Sequence, residues 1–338
     1  MKKTSTMIIA MLIVALCASA GFTRGDDEVI KRFDDVKRIR ISTVSGDCLV
    51  KTHKSNEVIV ELYRDVYPED AMDYRIKESG GKLIIKEEWH GRSSSGEVKW
   101  TLTVPADIDI EFSTASGDFE ISGVSGDVEV STASGDISAE DMDGELDVST
   151  ASGEVRLIDV RGEKEVSTAS GDIYIENVTE EVELSTASGD IEAVNVEGDI
   201  ELSTASGDIE VSDSKGIFSL STASGTVKAY DIIIDGNSRF STASGSVKVR
   251  LSETSEYDMD LSTASGNVSL DYNGNEVIGY FEFKARKRRG RIVSPFDFDD
   301  EEEYRRHGDD WVRKWFSKKG DDPSVILSTA SGTVTLKK

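Results

Sequence analysis

The chain has 338 residues, with 65 acidic and 39 basic side chains and a net charge of −26. The excess is concentrated: 29 acidic and 3 basic residues lie between Asp107 and Glu210, and the remainder is balanced. That acidic middle excludes nucleic acid and anionic membranes as its own partners and would attract cationic ones, divalent ions included.

Lys2 and Lys3 precede an apolar run from Met7 to Cys17, and Ala18-Ser-Ala20 follows before Gly21. This is the pattern of a secretory signal peptide over 1–20 with cleavage after Ala20, and the run is too short to span a bilayer. The expected product is an exported protein of the periplasm, cell surface or extracellular space, without a transmembrane span. Leu16 stands where a lipoprotein signal needs a small residue, so lipidation at Cys17 is not expected. Residues 21–32 read as a linker.

Over 33–105 the pattern is irregular, with strands expected at 38–41, 58–63, 82–87 and 98–104. This segment reads as a cap, because an open strand edge at the end of a stack templates aggregation. Cys48 is the only cysteine left after cleavage, so no internal disulfide forms. It aligns with a core position of the later repeats and reads as a buried, inert thiol.

The regular part spans 106–283. Ser-Thr-Ala-Ser-Gly occurs ten times, beginning at Ser113, Ser131, Ser149, Ser167, Ser185, Ser203, Ser221, Ser241, Ser262 and Ser328, and the first seven copies are spaced by 18 residues. A fixed period of this size means one supersecondary unit stacked on copies of itself. Apolar residues two apart, such as Val128 and Val130 or Ile173 and Ile175, are strand alternation. Each unit therefore reads as two short strands and two corners, its glycines supplying positive φ. The expected fold is all-β, a single-stranded parallel β-solenoid (β-helix) with 18-residue coils. Val and Ile would stack as a core and Ser and Thr as hydroxyl ladders. Asp118, Asp136, Glu154, Asp172, Asp190 and Asp208 share one coil position, and Asp127, Glu145, Glu163, Glu181 and Asp199 share another. These rows read as a solvated face. A calcium roll would carry paired glycines with Asp two residues on, and here a single Gly is followed at once by Asp.

Residues 284–323 read as a charged insertion, and 324–338 as the final coil. The insertion begins with Lys284, Arg286, Lys287, Arg288, Arg289 and Arg291, and continues through Asp299-Asp-Glu-Glu-Glu303 to Trp311-Val-Arg-Lys-Trp-Phe316. Acids at the start, bases at the end, and Gly320 and Pro323 beyond predict a helix over 299–319. Trp311, Val312, Trp315 and Phe316 would then form one stripe, covering the C-terminal end of the stack. Trp311, Trp315, Phe316 and the bases Lys284, Arg286, Lys287, Arg288 and Arg289 are the candidate contacts for a partner or, peripherally, for a membrane. No catalytic, cofactor or metal constellation emerges: His53, His90 and His307 are scattered, and a repeated acid is by its repetition a structural one.

The irregular opening, Val104-Pro105 ahead of Ser113-Thr-Ala-Ser-Gly-Asp118, and the repeated Ser-Gly-Asp-Ile/Val-x-Val units together resemble the bacterial putative-adhesin family of β-solenoid domains. The resemblance covers 33–283 and resumes at Ser324. Gly279-Tyr-Phe-Glu-Phe283 and Ser328-Thr-Ala-Ser-Gly332 are similar to the closing segments of relatives, and the charged insertion between them is a departure. The resemblance implies a parallel solenoid at the cell envelope and transfers no active residues. The expected function is that of a non-enzymatic envelope or surface protein, an adhesin or scaffold whose partner is cationic or a polysaccharide. The alternative is a polysaccharide-binding or polysaccharide-cleaving solenoid enzyme.

Overall fold

The structure, a computed structural model, describes residues 27–90 and 95–338. The signal peptide, its cleavage site after Ala20, Cys17 and positions 21–26 of the linker lie outside the described residues. From Asp27 onward the chain is strand, not linker, since Asp27–Asp34 pairs antiparallel with Glu57–Tyr67. Every regular element among the described residues is a strand.

Alternation decides which side of each strand is buried. In Val128–Thr132 the residues Val128, Val130 and Thr132 are buried while Glu129 and Ser131 face solvent. Each strand pairs in parallel with the one a period later, Val128–Thr132 with Leu146–Thr150 and Ile137–Asp143 with Val155–Arg161. Position k thus lies on position k+18, and Ser131, Ser149 and Ser167 stack in one ladder. The longer spacings keep that register: Ser221 pairs with Ser241, Ser241 with Ser262, and Ser262 with Ser328. Extra residues therefore bulge outward and leave the core column intact. The result is a solenoid-like all-β stack with Val, Ile, Leu and Phe along its axis.

A coil turns at a third point that the sequence reading did not assign. Asp141, Asp159, Asn177, Asn195, Asp213 and Asp231, spaced by 18, all have φ between 52° and 57°. Asp and Asn tolerate this left-handed conformation better than other non-glycine residues. The column is also bonded to itself: Asn177 Nδ2 donates to Asp159 Oδ1 at 2.9 Å, and Asn195 Nδ2 to Asn177 Oδ1 at 2.7 Å.

Positive φ, the expected reason for the repeat glycines, holds at Gly162, Gly198, Gly216, Gly245, Gly266 and Gly332, and the glycines of the first seven Ser-Thr-Ala-Ser-Gly copies are needed for a different one. Gly117, Gly135, Gly153, Gly171, Gly189, Gly207 and Gly225 do not have positive φ. A Cβ on Gly135, Gly153, Gly171 or Gly207 would instead lie 1.8 Å from the carbonyl oxygen of the glycine one coil earlier. The corner is closed by threonine. Thr186 Oγ1 donates to Gly171 O of the preceding coil at 3.2 Å and accepts the Gly189 N–H of its own at 3.0 Å. Thr204 repeats the arrangement with Gly189 and Gly207.

The acidic row next to this corner also takes part in the backbone. Asp118 Oδ1 accepts the N–H of Asp136 at 2.9 Å, Asp172 that of Asp190 at 2.8 Å, Asp190 that of Asp208 at 2.7 Å, and Asp208 that of Thr226 at 2.7 Å. Asp190→Ala should therefore cost about 1 kcal/mol, the worth of one such bond. Asp190→Asn keeps the acceptor and relieves like-charge repulsion. Denaturant unfolding that showed equal losses for the two variants would assign the effect to charge alone.

Both ends of the stack are closed by antiparallel strands. At the N-terminal end Met72–Ser79 pairs with Lys82–Trp89, and Glu57–Tyr67 with Ser95–Pro105. Buried Glu87 takes the place of a preceding coil: its carboxylate accepts the N–H groups of Val44 at 3.2 Å and Ser45 at 3.3 Å, and the indole N–H of Trp100 at 3.2 Å. Cys48 is buried, and desolvation holds its thiol well above the usual range.

At the other end there is no helix. Residues 279–318 supply the strands Gly279–Arg286, Gly290–Val293, Asp300–Arg306 and Asp309–Lys318. Gly279–Arg286 runs parallel to Ser324–Thr329 on one side and antiparallel to Asp309–Lys318 on the other. Asp300–Arg306 then forms the edge. The final Ser-Thr-Ala-Ser-Gly coil is consequently the penultimate layer, and the insertion lies over it. His307 and Gly308, with φ of 49° and 84°, make the two-residue turn of a β-hairpin. The charges expected to flank a helix pair across strands instead: Arg313 with Glu302 at 2.7 Å, Lys314 with Glu301 at 2.5 Å, and Arg286 with Asp309 at 3.1 Å.

Candidate binding face at the C-terminal end

Strand alternation separates the aromatic residues expected to share one stripe. Phe316 is fully buried, its ring 5.0 Å from Phe281 and 5.4 Å from Phe296. It is a core residue and offers nothing to a partner. Trp311 and Trp315 fall on the opposite side of the strand, partly exposed. The Arg286 guanidinium lies 5.8 Å from the Trp311 ring centre and that of Arg313 lies 5.0 Å from Trp315. Tyr304 stacks on Trp311 with centroids 6.5 Å apart.

This aromatic and cationic face continues the outer surface of the coils. Lys284 pairs with Ser328, the last member of the serine ladder, and Trp315 lies across from Glu282. Along the coils the ladder borders a shallow trough of about 880 Å³ lined by Ser185, Thr186, Ala187, Ser203 and their equivalents up to Ala264. Hydroxyls and methyls line it.

The basic run lies apart from the acidic shaft, and its first three members are ion-paired locally. Lys284 is ion-paired with Glu282, and Lys287 with Glu303 at 2.5 Å. Arg288 and Arg289 sit exposed in the turn between Gly279–Arg286 and Gly290–Val293. The structure adds Arg305 and Arg306, which the sequence reading passed over because it placed them inside a helix.

It also exposes a residue the repeat alignment offered and the reading missed. Lys164 occupies the core column between Leu146 and Val182, and is fully buried. Its ammonium donates to the carbonyls of Gly162 and Thr179. Desolvation lowers its pKa to about 8, against the opposing pull of Glu180. Among the described residues no group of three or more His, Cys, Asp or Glu is placed to hold a metal ion, and no helix is long and apolar enough to cross a membrane.

A capped, solenoid-like stack of repeats with a modified terminal face defines a class of all-β repeat proteins. The profile of the family described as Toastrack DUF4097 matches residues 36–215 and 165–290, and the chain belongs to that family. No curated protein matches the chain. A solved structure titled as a "putative cell adhesion protein" from Clostridium sporogenes is similar over 93% of this chain and 99% of its own, at 9% identity and a TM-score of 0.25.

Proposed function

We propose that the chain is an exported, non-enzymatic cell-envelope or surface protein, in which a single-stranded parallel β-solenoid serves as an adhesin or scaffold. The observation that carries this reading is that the fold uses its own acids. The aspartates of the row, Asp118, Asp136, Asp172, Asp190 and Asp208, each hold a backbone N–H group of the next coil, a structural duty repeated along the stack. A solenoid hydrolase or lyase would need an acid or base that breaks the repeat and reaches substrate. The group that does break the core column, Lys164, is inaccessible and bonded to carbonyl oxygens.

Purified protein should retain polysaccharides of envelope or plant origin without turning them over, when binding and cleavage are assayed separately. Release of new reducing ends or unsaturated products from any of them would replace this reading with that of a polysaccharide-cleaving enzyme.

A further inference from the structure

The ion pairs of the C-terminal hairpin leave a remainder. Arg286, Lys287, Arg313 and Lys314 are each held by a carboxylate. Arg288, Arg289, Arg291, Arg305 and Arg306 are exposed and have no ion pair among the described residues. The backbone brings the segments that carry them to one end of the hairpin, with Arg305 and Arg306 on alternate faces of their strand. Arg288 and Arg289 form the turn that leads into Arg291, and the Lys287 N–H of that turn donates to Asp310 O at 3.0 Å. Asp310 and Asp309 lie directly across the hairpin from Arg305 and Arg306.

The corner is electrostatically separate from the acidic shaft. From Ser203, in the coil that closes the acidic stretch, the ladder takes five steps to Lys284, by way of Ser221, Ser241, Ser262 and Ser328. At one strand spacing per step this is about 24 Å. That is roughly three Debye lengths at physiological ionic strength, so an anionic partner at the corner is screened from the shaft. The family match ends at residue 290, so Arg291, Arg305 and Arg306 lie outside the matched residues.

The chemistry selects among anionic partners. A bilayer contact would want fully exposed apolar side chains to insert; those among the described residues, Ile30, Val44, Tyr63, Tyr67, Ile217 and Tyr257, all lie elsewhere, and Trp311 and Trp315 are only half-exposed, each beside a guanidinium. Guanidinium forks match carboxylate and sulfate groups in bidentate fashion. The partly exposed pair Tyr304 and Trp311 beside them adds aromatic surface against which a sugar can pack. We propose that this corner is a binding site for an acidic polysaccharide, whose carboxylate or sulfate groups are taken by Arg288, Arg289, Arg291 and Arg306. It rests on the adhesive reading above and assigns to it one end of the stack and one class of partner.

The test compares full-length protein with Arg288→Ser/Arg289→Ser/Arg291→Ser, with Arg305→Ser/Arg306→Ser, and with the remote control Arg75→Ser/Lys77→Ser, by affinity electrophoresis and calorimetry. The probes are heparin for sulfate, polygalacturonate for carboxylate, neutral dextran, and vesicles containing phosphatidylglycerol. Wild type should bind one or both acidic polymers and not dextran, more weakly as salt is raised. The triple variant should bind at least about tenfold more weakly, with the remote control unchanged. Equal loss in the remote control, or no binding of either acidic polymer, would overturn the proposal. So would arginine-dependent binding of the vesicles alone, or arginine-dependent self-association without polymer, each of which assigns the corner to another partner. Turnover of a bound polymer would remove the non-enzymatic reading and leave the corner standing.

Discussion

Gly171→Ala should cost about 3 kcal/mol or more and open the stack at that coil, because overpacking against backbone cannot be relieved by a rotamer change. The new methyl would sit 1.8 Å from Gly153 O, 2.8 Å from Gly153 C and 3.0 Å from Thr168 Oγ1. Thr168 is itself fixed at this corner, since its Oγ1 accepts the Gly171 N–H at 3.0 Å. Relief requires the two coils to separate, which breaks ladder bonds on both strands of the coil. Two controls isolate the cause. Ser170→Ala, one residue away and exposed, should change stability by less than about 0.5 kcal/mol. Gly274→Ala meets nothing within 4 Å but carries a φ of 81°, so it should show only the left-handed penalty of about 1–2 kcal/mol. Because stacked repeats open locally, hydrogen exchange of the coils around 149–175 is the better readout than a single melting temperature. Protection unchanged in Gly171→Ala would mean that the coils do not approach as closely as described.

The stack was legible because stacking makes each coil position answer to its own copy 18 residues away. Ser131, Ser149 and Ser167 could be placed on one ladder from their numbers alone, and the pairing agrees. Two columns with the same period went unread. Asp141, Asp159, Asn177 and Asn195 mix two residue types, and a polar pair inside a corner suggests only solvation until the positive φ is seen. Lys164 is a single letter in a column of Val, Leu, Ile and Phe, visible only when that column is written out.

The hairpin failed for a sharper reason. Trp311 and Trp315 are four apart, a spacing that places them on one face of a helix and equally on one face of a strand. Acids at 299–303 and bases at 313–319 satisfy a helix dipole, and the same residues satisfy cross-strand pairs in a hairpin. Val312 and Phe316 distinguish the two, since they share the tryptophans' stripe on a helix and oppose it on a strand. The discriminating local signal was His307-Gly308, a dipeptide able to take two consecutive positive φ values between charges of opposite sign.

Lys164→Met should stabilise the protein at pH 7 by about 3 kcal/mol, which is what a pKa drawn down from 10.5 to about 8 is worth by linkage. The sign follows from proton binding. Between pH 8 and 10.5 the unfolded chain holds a proton on Lys164 that the folded chain has released, so stability rises with pH across that window. Below it both states are protonated and the whole penalty for the buried ammonium is present. The advantage of the methionine variant should therefore shrink to about 1 kcal/mol at pH 10. Taking the difference between the two proteins cancels the tyrosines and other lysines that titrate in the same range. Methionine suits the site because it is unbranched and close in volume, and its neighbours in the column, Leu146 and Val182, are apolar. The carbonyls of Gly162 and Thr179 lose a donor in the exchange, which makes the linkage figure an upper bound on the gain. A gain that did not change between pH 7 and pH 10 would show that the variant acts through packing, and that Lys164 is not held against its charge.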